Sequence, residues 1–147
     1  MMKCQNSFSK PNILVLKTEV IHKKLRSLEK IKPQYSGLCL YLEDNYYSPS
    51  RLLKAFHYLN FCKDYNKVIF LELSRNALSL IPHQVSRMKN LQALYFNNNA
   101  LGENLHTISY LKNLKKLRWI ELKNNGLSQE DKNYIQSNLN KRITLII

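Results

Sequence analysis

This chain is short of the features that most enzymes and membrane proteins display. It has three glycines in 147 residues, and none belongs to a G-x-x-x-x-G-K-[ST] phosphate loop. It has three cysteines, Cys4, Cys39 and Cys62. That odd number, with no C-x-x-C pair, predicts neither a disulfide framework nor a zinc site. The three read as free thiols in a reducing compartment. Apolar runs are only strand-sized, which excludes a transmembrane helix. The start, MMKCQNSFSKPN, lacks the apolar stretch of a cleavable signal. A cytoplasmic chain is expected, and export by a route without a cleavable signal stays open.

Acids are scarce too. Ten Asp and Glu face 23 Lys and Arg, a net charge of +13. Alone, that balance would point to nucleic acid or an anionic membrane. Reactive pairings are equally thin. His22, His57, His83 and His106 have no metal-ligand spacing, and none pairs with Cys39 as a nucleophile would need. Glu72 and Glu121 fall at equivalent places, roughly 9–10 Å apart if two strand spacings separate them. Two carboxylates at that distance suit an inverting glycosidase, but an open face does not exclude water. No catalytic residue, cofactor or metal is expected.

What the chain does have is a repeat. VIFLELSRNAL, LQALYFNNNAL and LRWIELKNNGL begin at 68, 91 and 117, which are 23 and 26 residues apart. Each fits L-x-x-L-x-L-x-x-N-x-L, with Val, Ile or Phe at some Leu positions. Leu71 and Leu73 alternate with Phe70, Glu72 and Ser74, the pattern of a strand with one buried face. An Asn closes each copy: Asn76, Asn99 and Asn125. A buried Asn needs its amide bonded to backbone, so stacked copies predict a ladder of asparagines. Ile81, Val85, Met88 and Leu91, then Leu105, Ile108, Leu111, Leu114 and Leu117, supply an apolar return path.

On these residues the chain resembles the leucine-rich-repeat (LRR) family, most closely over 68–127. The resemblance implies an α/β solenoid of about six parallel strands on a concave face, with helices or helical turns on the convex face. Extended in register, GLCLYLEDNYY adds Leu40, Leu42 and a further ladder residue, Asn45. Ser48 and Pro49 then open a helix with Leu52, Leu53, Phe56 and Leu59 on one face. Residues 1–10 are expected to lack fixed structure. One domain covers 11–147: a degenerate capping repeat at 11–36, repeats at 37–67, 68–90, 91–116 and 117–142, and a terminal strand at 143–147. The first strand aligns Pro11 with Gly37, and the last has a register open by one residue. Ser128 is the candidate cap of a helix that buries Tyr134, Ile135 and Leu139.

In that architecture the remaining strand positions face the concave side. Val15, Tyr41, Glu72, Tyr95 and Glu121 form one row. Ile13, Cys39, Phe70, Ala93 and Trp119 form a second, and Lys17, Glu43, Ser74, Asn97 and Lys123 a third. Asp44 and Tyr46 lie just beyond. Tyr41, Phe70, Tyr95 and Trp119 are expected to meet water, and clustered exposed aromatics anchor interfaces. Glu43, Asp44, Glu72 and Glu121 gather much of the scarce acid there, so the positive charge falls largely on the convex side.

The function expected is therefore binding. A protein partner with a Lys- or Arg-bearing surface would meet Tyr41, Glu43, Asp44, Tyr46, Phe70, Glu72, Ser74, Tyr95, Asn97, Trp119, Glu121 and Lys123. The chain would act alone, as a monomer, in the role of adaptor or of inhibitor of an enzyme. In size, composition and architecture it also resembles small stand-alone LRR effectors that intracellular bacterial pathogens deliver into the host cytosol. That resemblance implies a host protein or another effector as partner. The alternative is a nucleic-acid or membrane-surface binder using the convex lysines, Lys23, Lys24, Arg26, Lys30 and Lys32, or Lys112, Lys115, Lys116 and Arg118.

Overall fold

A computed structural model describes residues 13–17, 35–43, 52, 56–57 and 64–147. Six strands carry the repeats: β1 (Ile13–Lys17), β2 (Gly37–Tyr41), β3 (Val68–Glu72), β4 (Ala93–Tyr95), β5 (Trp119–Glu121) and β6 (Thr144–Ile146). They form one α/β sheet in sequential order, and every neighbouring pair is parallel. Parallel neighbours need a crossover between them, and the repeat supplies one each time.

The crossovers explain the three-residue spacing. His83–Arg87 and Leu101–Leu111 are 3-10 helical, the second broken by a kink at Asn104, and a helix of three residues per turn places every third side chain on one line. Ile108, Leu111, Leu114 and Leu117 are buried in this way, as are Val85, Met88 and Leu91; Ile81, four residues before Val85, is buried too. They pack against the inward strand residues Leu40, Leu71, Leu73, Leu94, Phe96, Ile120 and Leu122 to make one core. Leu52 and Phe56 join it, and the Tyr65 hydroxyl donates to the Phe56 carbonyl at 2.8 Å.

The asparagines link successive copies. Asn76 Nδ2 donates to the carbonyls of Leu42 and Leu73, at 2.7 and 2.8 Å. Asn99 Nδ2 reaches Leu73 and Phe96 at 3.0 and 3.2 Å, and Asn125 Nδ2 reaches Phe96 and Leu122 at 2.8 and 2.9 Å. Each amide thus bonds one carbonyl of its own copy and one of the copy before. The residue preceding each Asn, namely Arg75, Asn98 or Asn124, has a positive φ of 54–58°. That left-handed residue turns the chain off the sheet so that the Asn can point back under it.

Helix α1 (Gln129–Asn138) starts at Ser128, whose Oγ accepts the Asp131 N–H at 3.1 Å while the Asp131 carboxylate accepts the Ser128 N–H at 2.8 Å. This reciprocal cap satisfies two otherwise orphaned donors.

Several expectations need correction. Tyr134 is 42% exposed, whereas Ile135 and Leu139 are buried. Positions four apart share a helix face, and Tyr134 lies a full 100° from Ile135. The first strand is displaced by two residues: Ile13, not Pro11, pairs with Gly37, so Val15 sits beside Cys39 and Lys17 beside Tyr41. A slip of two keeps every side chain on its own face, so Leu16 stays inward. The last strand places Thr144 beside Trp119 and turns Leu145 toward the core. Between β2 and β3 the register shifts by one residue at Leu38. A Cβ on Gly37 would lie 3.0 Å from the Ile69 Cδ1, so a glycine leaves room for that side chain.

Asp44, Asn45, Tyr46, Ser48, Pro49, Leu53 and Leu59, and residues 1–10, lie outside the described residues. Among the described residues no helix is long and apolar enough to cross a membrane.

Candidate functional site

The sheet face away from the main core carries the residues singled out for binding, and it differs from its expected state. Cys39, Phe70, Ala93 and Tyr95 are 0–4% exposed, and with Ile69 they form a second apolar cluster. Phe70 sits between Tyr41 and Tyr95, with ring centroids 5.0 and 5.2 Å away and planes tilted by 34° and 38°. Ile13, Tyr41 and Trp119 are partly buried against this cluster. Adjacent parallel strands bring the three rings within stacking range, where aromatic pairs favour offset or tilted contacts. Phe70 and Tyr95 are therefore core residues of a small second core and not exposed anchors. Val15, at the β1 end, is 41% exposed.

Cys39 is also corrected. It is disulfide-bonded and fully buried, not a free thiol. The two other cysteines, Cys4 and Cys62, lie outside the described residues.

Beyond the aromatic rings the face is polar and internally bonded. Glu121, 8% exposed, takes the Trp119 indole N–H on Oε1 at 3.0 Å and the Asn97 amide on Oε2 at 3.0 Å. Both carboxylate oxygens are thus engaged within the chain, which withdraws Glu121 from the acids expected to greet a partner. Ser74 is also buried: its Oγ accepts the Asn97 backbone N–H at 3.0 Å, and its own N–H donates to Glu72 Oε1 at 2.8 Å. Asn97 Oδ1 accepts the Lys123 N–H at 2.8 Å. Glu43, half-buried, pairs with the exposed Arg75 at 2.8 Å. The network therefore runs Glu72–Ser74–Asn97–Glu121–Trp119 across β3, β4 and β5. The strand pattern had assigned these side chains to one face. It could not show the bonds, because each link spans 23 or 24 residues or an i to i+2 step on one strand.

Burial raises the pKa of Glu72 above its ordinary 4.5, opposed by its bonds from Ser74; the nearby Glu43 carboxylate raises it further and Arg75 lowers it. The native state then holds this proton more tightly than the unfolded chain does. Stability contributed here is present at low pH and is lost as pH rises past 4.5 through the raised folded value. Glu72→Gln is expected to flatten that part of the stability–pH curve, measured by urea denaturation from pH 4 to 7. An unchanged curve would contradict the assignment.

Tyr41, Glu43, Glu72, Asn97 and Trp119 are half-buried and Lys123 is exposed. Among the described residues these are the accessible members of the expected contact set. On the other side Lys112, Lys115, Lys116 and Arg118 are exposed, although the Arg118 guanidinium donates to the Lys115 and Leu117 carbonyls at 2.8 Å. Among the described residues no group of three or more His, Cys, Asp and Glu could hold a metal ion. No protein-family model matches the chain, and neither a curated protein nor a solved structure does.

Proposed function

We propose that the chain is a small LRR-type solenoid whose activity is to bind a protein, as an adaptor or as an inhibitor that covers an enzyme. The repeated strand, left-handed residue and amide bond at Asn76, Asn99 and Asn125 support the architecture. The observation that carries the binding reading is the hydrogen-bonded network in which half-buried Trp119 donates to Glu121, whose other carboxylate oxygen is held by Asn97. A large aromatic held in one orientation loses little freedom when a partner covers it, and such side chains dominate interface energetics. Trp119, Asn97 and Lys123 form one end of the contact surface. Tyr41, Glu43 and Glu72 form the other, with acid placed to receive Lys or Arg. A host protein or another effector is the partner class this reading carries forward.

The test places a photo-crosslinking amino acid at position 119 and, as control, at Tyr134 on the exposed side of α1. A partner captured at 119 and not at 134 supports the reading. Trp119→Ala should then weaken its affinity at least tenfold, and an unchanged affinity in a folded variant removes Trp119 from the site. The exposed Lys112, Lys115 and Lys116 favour a second reading, a polyanion bound on the opposite side. Binding through them should fall steeply between about 50 and 200 mM salt, whereas contact centred on Trp119 should change little.

A further inference from the structure

The three ladder asparagines are chemically unequal, and we infer that Asn125–Gly126 is a deamidation site that the fold holds shut. Asn76 and Asn99 are each followed by alanine, whereas Asn125 is followed by glycine. Gly126 is also the one glycine of this chain preceded by Asn. The pairing matters because the side-chain amide of an Asn can be attacked by the backbone nitrogen of the residue after it, a reaction that makes Asn thermolabile. A Cβ on that next residue crowds the approach, and glycine has none. The backbone accounts for the glycine: Gly126 has a φ of 66°, in the left-handed region that glycine enters without steric cost.

The reaction balances with water as its co-reactant. The Gly126 nitrogen bonds to the Asn125 Cγ and the Cγ–Nδ2 bond breaks. Nδ2 leaves as ammonia, taking up a proton in place of the one that the backbone nitrogen gives to solvent. Water then opens the cyclic imide at one of its two carbonyls, leaving Asp or isoaspartate at position 125.

In the folded chain the amide is withheld from this attack. Asn125 is 2% exposed. Its Nδ2 donates to the Phe96 and Leu122 carbonyls at 2.8 and 2.9 Å, with a longer contact to the Lys123 carbonyl at 3.3 Å. Its Oδ1 accepts the Leu101 N–H at 3.2 Å, and its backbone carbonyl accepts the Gly102 N–H at 3.1 Å. These bonds point the amide back under the sheet, whereas attack requires it to swing toward its own following nitrogen. Reaction therefore waits for this part of the chain to open, and proteins do open locally.

The product does not close as the parent did. An ionised Asp has acceptors and no donor, so a carboxylate would face the Phe96 and Leu122 carbonyls where N–H groups stood. Isoaspartate adds a backbone carbon next to Asn124, whose φ of 56° turns the chain off the sheet. The bond lost is the one that ties the Trp119 copy to the copy before it. An opening that lasts long enough to react is thus recorded irreversibly at one ladder position. This site is independent of the partner reading, and either can fail without the other.

Peptide mapping by mass spectrometry decides it, on the full chain held at mildly alkaline pH, native or unfolded in guanidinium chloride. In the unfolded chain Asn125 should convert at least tenfold faster than Asn76 or Asn99, and Gly126→Ala should remove that lead. Ala77, the equivalent residue in an earlier copy, has a φ of 52°, and a Cβ at 126 would meet nothing within 4 Å, so this variant should fold. In the native chain Asn125 should convert at least tenfold more slowly than in the unfolded one. Chain converted at 125 should unfold at lower urea than the parent. The inference is overturned if native and unfolded chains convert at 125 within a factor of ten of each other. It is overturned equally if Asn76 or Asn99 keeps pace with Asn125 in the unfolded chain, or if the converted chain is as stable as the parent.

Discussion

Asn99→Ala is expected to destabilise the fold by about 3 kcal/mol, a large loss for a single small side chain. The amide serves two copies at once. Its Oδ1 accepts the Asn76 and Leu78 N–H groups, and its Nδ2 donates to the Leu73 and Phe96 carbonyls. Alanine removes both functions and leaves four backbone groups in search of partners. A buried group without one costs about 1–3 kcal/mol. Asn99 is only half-buried, so water repairs part of the damage and the total stays below the sum. Asn99→Asp separates the two roles, since it keeps the acceptor and loses the donors. Urea denaturation measures both, with an unchanged m-value indicating that the unfolded reference is the same. A loss under 1 kcal/mol for Asn99→Ala would mean that the ladder adds little to cohesion between copies.

Phe70→Ala is expected to cost about 3–4 kcal/mol, in the range for emptying a buried aromatic site. This outcome discriminates between two views of the sheet. Were Phe70 an exposed anchor, its truncation would fall within about ±0.5 kcal/mol, as at most surface positions. At 4% exposure, between Tyr41 and Tyr95, it leaves a cavity that two rings must collapse into. Near-UV circular dichroism should lose intensity along with stability, because the neighbouring tyrosines lose their fixed environment. Thermal melts that superimpose for parent and variant would return Phe70 to the surface and reopen it as a contact residue.

These two residues mark where sequence reasoning reaches and where it stops. The Asn positions, the inward leucines and the assignment of side chains to two faces follow from periods of two and three residues, and such periods are local. The six parallel strands were legible for that reason. Whether Phe70 is wet is not local, since it depends on what else lies against that face. The same is true of Glu121. Its acid is plain in the sequence, but the indole of Trp119 and the amide of Asn97 claim it only once β4 and β5 stand side by side. The β1 register was missed by two residues because the signal that fixes the others, an Asn after the second inward Leu, is absent there. Cys39 was misread because an odd count of cysteines says nothing about which of them pair.

Successive strands match at offsets of 24, 31, 23, 26 and 25 residues, yet every neighbouring pair is parallel and shares its rows. Apart from the one-residue shift at Leu38, differences in chain length are thus taken up between the strands. An engineer could lengthen or shorten those returns, or graft a foreign epitope into the exposed turn at 115–116, and leave the Trp119 rows undisturbed. One side of this molecule is free to diversify while the other keeps its spacing.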